Sequence, residues 1–309
     1  MSWTGPYNSF NLMELLQPLL VTAVLRNREF IVSVDNQNKA ERFEHETFLQ
    51  YWQANTTQST AASAKHALYP HALTDNYPID LTLLISCYNE EEFIEDTLRV
   101  VVQALEQTDI TYEILVIDDC SKDRSPAIVK QFIITHPNIN ISLRENIKNK
   151  GLAQNYVDGA FIGKGKYYRL ICGDNAEPTE TIVKVLSFLG QADIIIPYYT
   201  SAEGKSCSRL LISKCYTNII NTISGNKIKY YNGLQIHLRN NVMRWPPNTR
   251  GFGFQAGLLC LLLSMGFSYK EVSCITIERR GGKGNALTWK NMRSVIHTII
   301  SVFLRRVAL

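Results

Sequence analysis

Excess charge is nearly absent from this sequence. Its 32 lysines and arginines stand against 28 acidic residues, a formal balance of +4 over 309 residues. So small an excess leaves no electrostatic footprint for nucleic acid, and no nucleic-acid partner is expected. Paired cysteines are absent too. The seven cysteines stand singly, mostly inside apolar runs (Cys87, Cys172, Cys260, Cys274), with no CxxC pair or ligand cluster. That usage fits buried thiols in a reducing compartment. Long hydrophobic runs are missing: the best, Leu12–Leu25, is short and broken by Glu14, Gln17 and Pro18. It does not qualify as a transmembrane span, and no positive charge precedes it as a signal peptide requires. The default expectation is a cytoplasmic protein. There is no GxGxxG after the first strand, no GxxxxGK[ST], and no internal repeat. These absences argue against dinucleotide binding and P-loop hydrolysis.

What is present is enough apolar material, 45% of residues, for one large domain or a domain with an appendage. Residues 1–80 read as an N-terminal extension. Phe30–Val34 has the character of a short strand, Lys39–Trp52 has helical spacing, and "QANTTQSTAASAKHA" reads as a linker or loop. From Leu81 the pattern becomes regular. "LTLLISC", "YEILVID", "NISLREN", "KYYRLIC" and "ADIIIPY" are five strands, and between them lie segments with helical character. Apolar strands alternating with helices predict an α/β fold, a mostly parallel sheet covered on both faces.

In such sheets ligands lie beyond the carboxyl ends of the strands. The polar clusters fall there: Tyr88-Asn89-Glu90 after the first strand, Asp118-Asp119 after the second, and Gly173-Asp174-Asn175 after the fourth. Carboxylates converging on one crevice repel one another unless a divalent cation or ligand hydroxyls intervene. The "DDCSKD" stretch and Asp174 each also read alone as helix caps, since Asp and Ser cap helices well. Their recurrence at successive strand ends favours a site.

The stretch 81–200 resembles the family 2 glycosyltransferases of GT-A (Rossmann-like) fold. "ISCYNEEEFI" looks like that family's opening strand, "ILVIDDCSKDRS" its Asp-Asp-Gly-Ser-x-Asp motif, and "NKGLAQNYVDGA" its Asn-x-Gly helix start. "LICGDNAEPTE" sits where the family carries its metal-binding Asp-x-Asp. "YYNGLQIH", "GFGFQAGLL" and "ERRGGKGNA" are similar to the dolichyl- and polyprenyl-phosphate sugar synthase branch. The resemblance covers roughly 81–290. It implies a GT-A domain at 81–285 and a nucleotide-sugar site built from Ser86, Tyr88, Asn89, Glu90, Ile117, Asp118, Asp119, Gly151, Gly173 and Asp174. Tyr88 and Glu90 would contact the base and ribose, and Asp119 would hold the base or ribose with Asp118 alongside. Asp174 would hold Mg2+ or Mn2+ on the diphosphate. The implied donor is a UDP- or GDP-linked sugar.

Three departures stand out. The first Asp of Asp-x-Asp is Cys172, which reads as core rather than ligand because Mg2+ and Mn2+ prefer oxygen. Related sequences often have Glu where this chain has Gly257, and Lys where it has Asn285. A hydroxyl acceptor needs a general base, whereas a phosphate acceptor is already anionic. Loss of the acid at 257 therefore fits a polyprenyl phosphate acceptor. The alternative is a glycan or glycolipid hydroxyl with a displaced base. A further alternative, motivated by all three losses, is a non-catalytic nucleotide-sugar-binding scaffold. Arg209, on a helix ending at Gly225, would meet the acceptor phosphate. Arg279 and Lys283, on a Gly-Gly loop, would clamp the departing diphosphate and count with Asp174 and Arg209 as catalytic.

Residues 286–309 read as a C-terminal amphipathic helix. Trp289, Met292, Ile296, Ile299, Phe303 and Val307 share a face, beside Lys290, Arg293, His297, Arg305 and Arg306. The stripe suits the core, a partner subunit, or peripheral contact with the inner face of a membrane carrying anionic lipid.

Overall fold

The computed structural model describes residues 77–203, 207–243, 245, 253–277 and 289–307. Those from 77 to 303 belong to one compact unit. The extension 1–76 and the loop bearing Arg279 and Lys283 lie outside the described residues.

Seven strands form one sheet in the order β3-β2-β1-β4-β6-β5-β7. The first half is built from β1 (Ile79–Cys87), α1 (Ile94–Leu105), β2 (Tyr112–Asp118), α2 (Ser125–Thr135), β3 (Ile141–Glu145), α3 (Leu152–Ile162), β4 (Gly165–Cys172) and α4 (Thr179–Leu186). β1 pairs in parallel with β2 on one side and with β4 on the other. The chain therefore runs outward to β3 and returns across the opposite face to β4. The strand order reverses between β1 and β4, which is where such sheets open a ligand crevice.

The second half holds β5 (Ile194–Glu203), α5 (Cys207–Ser224), β6 (Ile236–Leu238), α6 (Arg239–Met243), α7 (Phe254–Ser264), β7 (Tyr269–Ile277) and α8 (Trp289–Val307). β6 is antiparallel to both neighbours, β4 and β5, while β5 and β7 run parallel. Sequence periodicity marks neither β6 nor β7 among the five expected strands. β6 is only three residues long, too short for a period. β7 alternates, with Val272, Cys274 and Thr276 buried and Ile275 exposed, as a half-covered edge strand does.

Both sheet faces are covered. α1, α2 and α4 bury Leu98, Val101, Phe132, Ile182 and Val185 against one face. α3, α5, α7 and α8 bury Tyr156, Val157, Ile220, Leu258, Leu259 and Val302 against the other. The expected stripe of α8 divides: Ile299 packs on the core while Ile296 and Phe303 are exposed, and the buried residue of this segment is Val302, which lies outside that stripe. No helix among the described residues is long and apolar enough to cross a membrane. Cys87, Cys120, Cys172, Cys215, Cys260 and Cys274 are free thiols.

Candidate active site at the strand ends

The three strands expected to carry the site are adjacent. Cys87 of β1 lies opposite Asp118 of β2, and Ser86 of β1 opposite Cys172 of β4. The exits of the three strands thus form one continuous rim. Glu90 links its two sides: with burial first, its charge helps push up the Cys87 thiol, to about 12, and also the Cys172 thiol.

The β1 and β2 exits are stitched together by short polar side chains. Asn89 sits at φ 56°, in the left-handed region that Asn tolerates best among residues with a Cβ. Its N–H donates to Ser121 Oγ at 2.9 Å, and its Oδ1 accepts from the Lys122 N–H at 2.8 Å. The Glu90 N–H donates to Ser125 Oγ at 2.8 Å, and Ser125 Oγ donates to Asp123 Oδ1 at 2.6 Å. Ser121, Asp123 and Ser125 hold the rim together and were not among the expected site residues. Their signal was the polar run "SKDRS" after a buried strand. Glu90–Glu92 precede α1, and the acidic residues in its first turn are Glu95 and Asp96.

The expected nucleotide residues divide by environment. Tyr88 is exposed at the crevice mouth. Ile117 places its side chain in the core with Ala153 and Val157, so only its backbone faces the strand line. Asp118 accepts the Ser121 N–H at 3.0 Å through Oδ2, while its buried Oδ1 has no hydrogen-bond partner among the described residues. Asp119 uses both oxygens. Oδ1 accepts from Asn146 Nδ2 at 3.0 Å and from the Lys150 N–H at 2.8 Å, and Oδ2 accepts from the Gly151 N–H at 2.9 Å. Gly151 has φ 85° and ψ 156°, a conformation that only glycine adopts readily, and it starts α3 directly under this carboxylate. Asp119 is therefore first the keystone of the 146–151 turn. A carboxylate offers about four acceptor directions, and three are occupied.

The Gly173-Asp174-Asn175 turn follows β4. A Cβ on Gly173 would lie 2.8 Å from the Ser86 carbonyl oxygen and 3.2 Å from Ile94 Cδ1. The glycine therefore lets β4 exit against the β1 backbone, where the Gly173 N–H donates to Ser86 O at 2.9 Å. Approach to a ligand is not what demands it. Gly173→Ala is expected to break that bond and to cost about 1–3 kcal/mol, read as a lower urea midpoint at unchanged slope. Asn175 takes the left-handed φ of 52° that completes the turn. Its amide thus has a backbone reason, which the sequence motif alone does not reveal.

Cys172 is a poor replacement for the missing ligand, because Mg2+ and Mn2+ prefer oxygen. Burial pushes its thiol up, and the Asp174 and Glu177 carboxylates push further, which disfavours the thiolate. No group of three His, Cys, Asp or Glu side chains among the described residues is arranged to hold a metal by itself. Asp174 alone fits a hard cation only when other oxygens complete the shell, as diphosphate oxygens do for Mg2+. Arg209 begins α5, with its side chain outside the described residues.

The glycosyl transferase family 2 profile matches residues 82–244, more than half of the chain. The chain belongs to glycosyl transferase family 2. This family 2 chain is 28% identical over 116 residues to a dolichyl-phosphate beta-glucosyltransferase of Dictyostelium discoideum, covering 35% of the chain and 36% of that protein. It thus spans about a third of that relative's length. Its fold is shared with glucosyl-3-phosphoglycerate synthase from Mycobacterium tuberculosis in complex with Mn2+, UDP and glucosyl-3-phosphoglycerate. That match has a TM-score of 0.56 and 15% identity, covering 73% of the chain and 80% of the synthase. It is shared also with a mannosyltransferase from Pyrobaculum calidifontis in complex with GDP-Man and Mn2+, with a TM-score of 0.53 and 16% identity, covering 80% of the chain and 72% of that enzyme. These likenesses establish the GT-A architecture.

Proposed function

We propose that this family 2 chain is an inverting glycosyltransferase that moves a sugar from a UDP- or GDP-sugar onto a polyprenyl (dolichyl-type) phosphate at the inner face of a membrane. The observation that carries this reading is the rim itself: Glu90, Asp118, Asp119 and Asp174 stand at the exits of three adjacent parallel strands, beside the point where strand order reverses. Tyr88 and Glu90 face the nucleoside. Asp119 fixes the floor beneath it and keeps one acceptor direction for the base or ribose. Asp174 meets the diphosphate and would hold Mg2+ or Mn2+ there. When bound, such a metal offsets the charge of the leaving diphosphate. Arg279 and Lys283 add cations to that group, and Arg209 orients the acceptor phosphate.

The acceptor oxygen attacks the anomeric carbon from the face opposite the diphosphate. The new carbon–oxygen bond forms as the sugar–diphosphate bond breaks, the electron pair leaves with the nucleoside diphosphate, and configuration inverts. A phosphate acceptor brings its own anionic oxygen. That agrees with α7, whose first turn has no acidic residue and where Gly257 would meet only Trp245, at 3.8 Å from an added Cβ. The name of the Dictyostelium relative supports the same acceptor class.

A thermal-shift panel of UDP- and GDP-sugars, with and without Mn2+, tests the donor. A ligand selective for the native state raises the melting temperature by mass action. Asp174→Ala is expected to erase the metal-dependent part of that shift and to lower turnover about a hundredfold or more. Unchanged turnover in Asp174→Ala would sink the assignment. Transfer to a glycan hydroxyl but not to polyprenyl phosphate would overturn the acceptor.

A further inference from the structure

Arg169 is a charged residue in the middle of β4, within a strand that otherwise reads as core. It is fully buried, and Glu177, just past the candidate diphosphate turn, is nearly so. Arg169 Nη2 donates to both Glu177 oxygens, at 3.1 and 2.9 Å. The Tyr199 hydroxyl of β5 donates to Glu177 Oε1 at 3.0 Å. Arg169 Nε donates to the Leu234 carbonyl at 3.2 Å, in the segment leading to β6. One guanidinium thus ties together β4, the 173–177 loop and the 231–235 segment.

Stability alone is a poor reason to keep such a pair. Apolar residues of similar volume often replace a buried ion pair with no loss, or with a gain. What apolar residues cannot supply is a directional anchor. The loop is already pinned at Gly173, whose carbonyl accepts from Thr97 Oγ1 at 3.0 Å, and at Ala176, whose carbonyl accepts from Thr276 Oγ1 at 3.1 Å. Glu177 is the third pin, and the only one of these made by a loop side chain. Burial raises the Glu177 carboxyl above its ordinary range, Arg169 and the Tyr199 hydroxyl oppose that, and the Asp174 carboxylate adds to the rise.

We infer that Arg169, Glu177 and Tyr199 form a buried positioning network that sets the Gly173-Asp174-Asn175 turn in register with the diphosphate. The inference rests on the reading of Asp174 as the residue that meets the diphosphate and its metal. Such outer partners orient a ligand without touching it, and their loss weakens metal affinity about 10- to 100-fold in established sites.

The test is calorimetric binding of UDP and GDP, with and without Mn2+, to the full chain and to three variants: Tyr199→Phe, Glu177→Gln and Asp174→Asn. UMP and GMP, which lack the second phosphate, serve as probes of the nucleoside end. Tyr199→Phe keeps the Arg169–Glu177 pair and removes only one hydroxyl, so folding is preserved. In Tyr199→Phe and Glu177→Gln the Mn2+-dependent gain in diphosphate affinity is expected to fall about tenfold, while UMP or GMP affinity holds. Retention of the gain in both variants, or an equal loss for the monophosphates, overturns the network's positioning role. If Asp174→Asn also retains the gain, the reading of Asp174 itself fails. If Asp174→Asn loses it and the other two do not, only the positioning role fails. Binding of neither diphosphate to the unaltered chain overturns both.

Discussion

Asp119→Ala is expected to unfold the 146–151 turn and to abolish nucleotide binding with it. The substitution removes an acceptor from three donors at once: Asn146 Nδ2 and the N–H groups of Lys150 and Gly151. Each buried donor left without a partner costs about 1–3 kcal/mol. Water reaching this part-buried site will recover some of that, so a total of about 3–5 kcal/mol is expected. Asn146 keeps one bond, to Asn155 Oδ1 at 2.8 Å, so the damage centres on the two backbone donors that start α3. Asp119→Asn should fall between: one acceptor oxygen survives, but the new amide faces other donors. Urea unfolding of the three proteins, with nucleoside diphosphate titrations at a denaturant-free reference, reads both effects. An Asp119→Ala protein of unchanged midpoint would show that the carboxylate serves ligand rather than fold.

Acid should act on the sheet through His237. This imidazole lies in β6, opposite Tyr168 of β4 and Ile194 of β5, and burial pushes it down to about 3. Unfolded, it titrates near its ordinary value of about 6.5. Between those values the unfolded chain binds a proton that the folded chain refuses. The stability that neutral His237 permits is therefore complete above about pH 6.5 and drains away as pH falls towards about 3. The loss is at most about 1.4 kcal/mol per pH unit, or about 4 kcal/mol by about pH 3.5. His237→Leu removes the titrating group together with its Nδ1, which has no hydrogen-bond partner among the described residues. Its plot of unfolding free energy against pH is expected to be flatter through this window. Parallel plots for the two proteins would show that acid lability resides in other groups.

Much of the first half was legible because β1, β2 and β4 are apolar runs buried on both faces, and only the edge strand β3 is not. "LTLLISC" and "YEILVID" extend by at most two residues from reading to structure, becoming Ile79–Cys87 and Tyr112–Asp118. α5 ends where expected, with Gly225 at φ 77° just beyond it. The second half was less legible. β6 takes its partners from tertiary context, and β7 showed only an alternation that "YKEVSCITI" does carry. At the site, the carboxylates could be read because they follow strands. Their division of labour could not, since nothing in "DDC" says that Asp119 caps a turn some thirty residues later while Asp118 keeps an oxygen unmatched. Arg169 was the visible signal that passed unread: a cation in "KYYRLIC" demands a buried partner, and Glu177 lies in the very motif used to locate Asp174.

The late insertion of β6 also bears on how the chain is made. During synthesis, β1 through β4 can assemble as soon as they emerge, through parallel units joined by helices. The outer edge of β4 then waits for β6, because β5 and α5 come first in the chain and β6 lies between β4 and β5 in the sheet. Until Ile236–Leu238 leaves the ribosome, that edge offers unpaired backbone groups to any other extended segment. The same interval leaves Arg169 without Leu234. A three-residue strand thus joins the two parts of the sheet, and until it emerges the edge of β4 stays open to mispairing.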